Sequence, residues 1–158
     1  MARRGGRRPG CPPPDRLKTK AYNHRPSVAV WEITASCNFN CRHCLNLGGQ
    51  KRRGELTSRE ALALCGQLAE LGVERVSLSG GEPLLRNDWH LIARRLAEHN
   101  LSVTIVTNGW KLDRQAADRA ADAGVTAISI SLDGLEPTHD LCRRPGSFGR
   151  VANAFLMA

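Results

Sequence analysis

The sequence predicts an α/β fold built on a parallel sheet. Short, β-branched apolar runs alternate four times with helix-patterned segments. Each strand-to-strand step is roughly 25 to 45 residues, the size of a βα unit with its crossover. Helix caps and glycine stops fall at the boundaries between the two kinds of segment.

The first strand is Val28-Ala29-Val30-Trp31-Glu32-Ile33, and a polar, cysteine-bearing loop follows it. Thr57, with Glu60 three residues on, has the pattern of a capping box and starts a helix. Ala61, Leu62, Leu64, Cys65, Leu68 and Leu71 recur at helical spacing, and Gly72 stops it. Arg75-Val76-Ser77-Leu78-Ser79 is the second strand. A helix over residues 87–99 follows, with Trp89, Ile92, Ala93 and Leu96 on its inner face. Residues 103–107 form the third strand, and Asp113 caps a helix that ends before Gly124. The fourth strand, over 127–132, reads AISISL. Another helix begins at Ser147 or Gly149.

The length, 158 residues, is that of about one domain. Apolar residues make up 41 %, enough for a packed core, while aromatics are only 4 %. The core therefore falls to Leu, Val, Ile and Ala. No apolar run approaches the ~18 to 20 residues of a membrane span. The formal charge of +8 is unevenly placed. Residues 1–26 hold eight Lys/Arg against one Asp, and residues 27–158 hold fifteen against fourteen. A basic, Arg/Gly/Pro-rich leader thus precedes a nearly neutral body over 27–158. The leader is expected to be disordered and nucleic acid is not an expected partner. Arg7-Arg8 lacks the apolar stretch of an export signal, so a cytoplasmic location is expected.

In parallel sheets, ligands bind at the carboxyl ends of the strands, so the loops there carry the chemistry. The first contains Cys37, Cys41 and Cys44, three thiols within eight residues. Three thiolates on one short loop converge on one metal centre and leave a coordination position open. His43 or His24 could supply a fourth ligand to a zinc. The second loop is Ser79-Gly80-Gly81-Glu82-Pro83. Its glycines let the backbone run close to a ligand, and the Glu82 carboxylate can accept hydrogen bonds from an ammonium group. The third is Thr107-Asn108-Gly109. The fourth, Ser131-Leu132-Asp133-Gly134, offers a hydroxyl and a carboxylate suited to ribose.

Together these loops resemble the radical S-adenosylmethionine (radical SAM) superfamily. The cysteine loop matches its CxxxCxxC motif after the first strand, and residues 79–83 match its GGEP motif after the second. The stretch 131–148, with His139-Asp140, Arg143 and Gly146-Ser147-Phe148, looks most like the subgroup that carries a SPASM or twitch domain. That subgroup includes peptide-modifying maturases and haem-pathway enzymes. Near Arg143-Arg144 the chain is one residue shorter than the subgroup pattern, so no particular arginine receives a role.

The resemblance implies a partial (β/α) barrel of parallel strands, here truncated to about four of the usual six βα units. It implies that Cys37, Cys41 and Cys44 ligate a [4Fe–4S] cluster whose fourth iron takes S-adenosylmethionine. Glu82 and the backbone of Gly80 and Gly81 would hold the methionine ammonium, and Ser131 and Asp133 would meet the ribose. Reductive cleavage would give a 5′-deoxyadenosyl radical that abstracts hydrogen from a peptide or small-molecule substrate, for example a tetrapyrrole. The implied partners are an electron donor such as flavodoxin or ferredoxin and a complementing second half of the barrel. Cys65 is expected in the core, and Cys11 and Cys142 outside the cluster. The alternative is a non-catalytic zinc module with a nucleic-acid-binding tail, which has no use for the GGEP and SLDG loops.

Overall fold

The computed structural model describes residues 25–44 and 49–157. The expected disordered leader therefore lies outside the described residues, except for Arg25 and Pro26. Four strands form one sheet: β1 (Val28–Thr34), β2 (Arg75–Gly80), β3 (Ser102–Thr107) and β4 (Val125–Ile130). Their order is β1-β2-β3-β4, and every neighbouring pair is parallel. Helices α1 (Ser58–Glu70), α2 (Trp89–Glu98) and α3 (Arg114–Asp122) link successive strands. Helices α4 (Glu136–Cys142) and α5 (Ser147–Met157) follow β4.

Alternation along the strands sorts their side chains to two faces. Ile33, Val76, Leu78, Val103 and Ile105 enter the core with Ala61 and Cys65 of α1 and Ile92 and Leu96 of α2. Burying each of the larger side chains stabilises the fold by about 1.5 to 3 kcal/mol. The opposite face is polar. There Val30, Ser77 and Thr104 stand in register. The Ser77 and Thr104 hydroxyls share a hydrogen bond of 2.8 Å, and Val30 is 72 % exposed.

The caps follow the sequence closely. The Thr57–Glu60 capping box forms in both directions, and Asp113 accepts from the Ala116 N–H to start α3. Two boundaries differ from expectation. Helix α2 begins at Trp89, because the Asp88 carboxylate pairs with Arg86 at 2.6 Å and makes no cap. Strand β4 spans Val125–Ile130, two residues earlier than the apolar pattern suggested. It starts directly after the α3 stop, and its ladder closes when the Ser131 N–H donates to Thr107 O. Leu132, read as strand, lies beyond it and is half exposed. Helix α4 is an element that the apolar pattern did not place. No described helix is long and apolar enough to cross a membrane.

Candidate functional site

The carboxyl ends of β1, β2, β3 and β4 surround one cleft of about 350 Å³. All three loop cysteines line it: Cys37, Cys41 and Cys44. Ser79, Gly80, Gly81, Ser131 and Arg143 line it as well. The sequence expectation for the metal and the turn residues thus gathers in one place.

The cysteine loop is fixed from several sides. The Cys37 N–H donates to Gly49 O, and Ser36 pairs with Gly49 in a short parallel bridge. Glu55 accepts from the Ala35 N–H at 2.8 Å and from the Thr34 hydroxyl at 3.1 Å. From the far end of the sequence, the Arg42 N–H donates to Cys142 O at 2.9 Å. Phe39, nearly buried, packs edge-on against Trp110 with ring centroids 5.6 Å apart. The Arg144 guanidinium lies 4.3 Å from the Trp110 ring centre and donates to Asn38 O. These contacts tie the loop to the ends of β1 and β3 and to the segment after α4.

The turn after β2 explains its two glycines differently from expectation. A Cβ on Gly80 would stand 2.1 Å from Thr34 O, and one on Gly81 would stand 2.4 Å from Ser36 O. Their bareness lets β2 press against the start of the cysteine loop. The Gly81 N–H donates to Thr34 O and the Glu82 N–H to Ser36 O. The same turn still forms one wall of the cleft.

Glu82 is engaged within the protein. Its side chain is fully buried. Its carboxylate accepts from the Thr107 hydroxyl at 2.8 Å, the Asn108 N–H at 2.8 Å and the Leu84 N–H at 3.1 Å. Burial pushes its pKa above the ordinary carboxyl value, against the pull of those donors. The group braces the ends of β2 and β3 and presents no oxygen to the cleft. Asn108, fixed in this way, points its side-chain amide at Asn38 (2.9 Å) and the Cys37 sulfur (4.0 Å).

Asp133 is likewise engaged within the protein. Arg143 grips its carboxylate with two bonds, 2.6 Å from Nε and 3.0 Å from the terminal nitrogen. That guanidinium holds the Asp133 carboxyl below the usual range. His43 approaches the same carboxylate at 3.7 Å. Of the expected ribose pair, only Ser131 lines the cleft, and Asp133 anchors Arg143. The arginine that the sequence left without a role is the one that reaches the site. His139, fully buried, accepts from the Asp133 N–H through Nδ1 and so sets that loop.

Burial pushes the Cys37 and Cys41 thiols above their ordinary pKa. The Phe39 N–H opposes this at Cys37, and the Arg143 charge opposes it at Cys41. Donors aimed at sulfur and a nearby cation are what a metal-bound thiolate needs. All three thiols line the cleft, and among the described residues no three His, Cys, Asp or Glu side chains stand in the arrangement of a single-ion site. A cubane cluster divides its thiolates among separate irons, so the donor set fits it. Cys65 is buried in α1, where its thiol donates to Ala61 O, as expected of a core residue. Cys142 contributes its carbonyl. Cys11 lies outside the described residues.

Fold and site thus define a parallel α/β protein with a three-thiol centre at the carboxyl edge of its sheet. The profile of the radical SAM superfamily matches residues 31–158. The chain belongs to that superfamily. It is 40 % identical over 134 residues to the AdoMet-dependent heme synthase of Methanosarcina barkeri, covering 83 % of this chain and 38 % of that protein. It is 35 % identical over 131 residues to the mycofactocin maturase MftC of Mycobacterium tuberculosis, covering 82 % and 33 %. The chain spans about a third of the length of these curated relatives. Among solved structures, it resembles Streptococcus suis SuiB bound to S-adenosylmethionine. That match has a TM-score of 0.69 at 22 % identity, over 82 % of this chain and 31 % of that one. It also resembles BtrN in complex with AdoMet and 2-DOIA, at a TM-score of 0.59 and 26 % identity over 70 % and 47 %. These likenesses confirm the partial-barrel fold class that the sequence implied.

Proposed function

We propose that the chain binds a [4Fe–4S] cluster through Cys37, Cys41 and Cys44, and S-adenosylmethionine in the adjoining cleft. When bound, the cluster supplies the electron that cleaves the cofactor's sulfonium bond to give a 5′-deoxyadenosyl radical for hydrogen abstraction. The observation carrying this reading is that all three thiols open onto the cleft walled by the Gly80–Gly81 turn, Ser131 and Arg143. The chain's residues supply position. Gly80 and Gly81 bring the β2 turn beside the thiols, and Glu82 locks that turn to β3. Ser131 offers a hydroxyl that makes no hydrogen bond among the described residues. Arg143 keeps a positive charge beside Cys41, favouring its thiolate.

The substrate is a peptide or a tetrapyrrole, a reading supported by the names of the heme synthase and the maturase. The electron comes from a flavodoxin or ferredoxin. The protein works in a reducing compartment such as the cytoplasm, in keeping with free thiols at all five described cysteines.

Anaerobic reconstitution tests the proposal. About four irons and four sulfides per chain are expected, with broad visible absorption. Stoichiometric zinc without sulfide would overturn it.

A further inference from the structure

Phe39 has two neighbours of different kinds. It lines the cleft together with the three thiols. Its ring edge also meets Trp110, which lines a second, outward hollow of about 590 Å³. The Phe39–Trp110 pair thus forms a short aromatic contact between the cysteine loop and a separate surface.

That surface is strongly basic. Lys111, Arg114, Arg144 and Arg150 are all exposed around Trp110. Two of their guanidiniums crowd one indole, Arg144 at 4.3 Å from the ring centre and Arg150 at 5.1 Å. None of the four is ion-paired among the described residues. The one carboxylate on the rim, Asp113, accepts the Ala116 N–H at the start of α3. Like charges gathered without a counter-charge favour an anionic partner, and they speed its association at low salt.

We propose that this surface docks an acidic one-electron carrier protein, and that its electron reaches the cluster past Trp110 and Phe39. The inference rests on the cluster reading above. The cleft side of the cysteine loop belongs to cofactor and substrate, so the carrier needs another face. This one combines contact with the loop and unmatched positive charge. In the step itself, one electron leaves the carrier, for a flavodoxin taking its flavin from hydroquinone to semiquinone. The cluster gains that electron, and no other bond changes.

The test uses the full chain, reconstituted anaerobically, with photoreduced flavodoxin and, separately, reduced ferredoxin. Cluster reduction is followed by visible bleaching, with dithionite as the small-molecule control. The variant carries Lys111→Glu and Arg150→Glu, neither of which touches the thiols. Reduction by either carrier should slow by about tenfold or more, and its dependence on ionic strength should flatten. Iron content and the dithionite rate should match the parent chain. A carrier rate equal to the parent's, at equal iron content, overturns the docking proposal and leaves the cluster reading intact. A parent chain that takes up no iron and sulfide overturns the cluster reading itself. In that case, loss of salt-sensitive flavodoxin binding in the variant still supports the surface. Tighter binding of a single-stranded RNA than of flavodoxin at the same salt overturns the choice of partner.

Discussion

Two cysteines, Cys41 at the cleft and Cys65 in the core, illustrate how position decides chemistry. Cys41 opens on the cleft, whereas Cys65 is sealed in the core and burial raises its thiol pKa to about 11. Cys41→Ala should abolish cluster incorporation, read as iron and sulfide per chain. Cys65→Ala should keep the iron and lower stability by about 1 kcal/mol, read from urea unfolding. Iron loss in the Cys65 variant alone would reverse the ligand assignment. Glu82 makes a second contrast. Glu82→Gln places an amide against N–H donors that the carboxylate satisfied, and should cost about 2 kcal/mol of stability. The same measurement on the Thr107 hydroxyl, through Thr107→Val, should show a coupled loss, because the two groups share one bond.

Among the elements, the turn from β2 into α2 is the most heavily tied. After Glu82, a single turn of 3-10 helix over Pro83–Leu85 leads to Arg86. Arg86 donates to Ile33 O at 2.7 Å, to Leu56 O at 3.0 Å and to Asp88, with only 10 % of its side chain exposed. Arg86→Met should destabilise by about 3 kcal/mol, since it leaves Asp88 half-buried without its partner. The pH dependence has a definite sign. The Arg86 bond holds the Asp88 carboxyl below its ordinary 3.8. Its contribution is therefore present above that value and is lost as pH falls through the lower folded one. Acid unfolding curves of the Arg86→Met variant should show a shallower fall in that window.

Glycine substitutions probe the same region. Gly81→Ala should lose about 2 kcal/mol or more and loosen the cysteine loop, since its Cβ meets two backbone oxygens within 2.5 Å. Gly149→Ala, in open space within α5, should gain up to about 1 kcal/mol. Thermal unfolding of the two variants reads the difference. These positions also show what the sequence made legible. Alternation of apolar runs and caps placed β1, β2, β3, α1, α3 and the start of α5, because local pattern decides them. Helix α4 escaped, since EPTHDLC has no apolar stripe and no Ser, Thr, Asp or Asn at its N-cap. Pro137 in its first turn was the available signal. The gathering of the three thiols at one cleft was legible because they share one short loop at a strand's carboxyl end. The second functions of Glu82, Asp133 and Arg143 were not. Whether a carboxylate meets a ligand or a neighbouring N–H depends on contacts 10 to 26 positions away.

At the scale of the whole molecule, the sheet is covered unequally. The helix-packed face is buried, while the other carries the exposed Val30 beside the half-buried Ser77 and Thr104. Among the described residues, β4 is paired on the β3 side alone, with Thr126, Ala127 and Ser129 exposed and Val125, Ile128 and Ile130 half-buried. Leu135, Leu141 and Leu156 are also exposed nearby in sequence. An unprotected parallel edge recruits another strand. The isolated chain should therefore self-associate with rising concentration in sedimentation experiments. Ala127→Lys on β4 should suppress the association, because an edge lysine opposes strand addition.

The long reach of the cysteine loop's supports has a consequence for the timing of assembly. The thiols lie at positions 37–44, yet they are braced by Asn108, Trp110, Cys142 and Arg144. A ribosome delivers the thiols first and their braces 71 to 106 residues later. Until α4 emerges, the loop has thiols but lacks its mould. If the thiols take a cluster as proposed, loading belongs after synthesis of that segment.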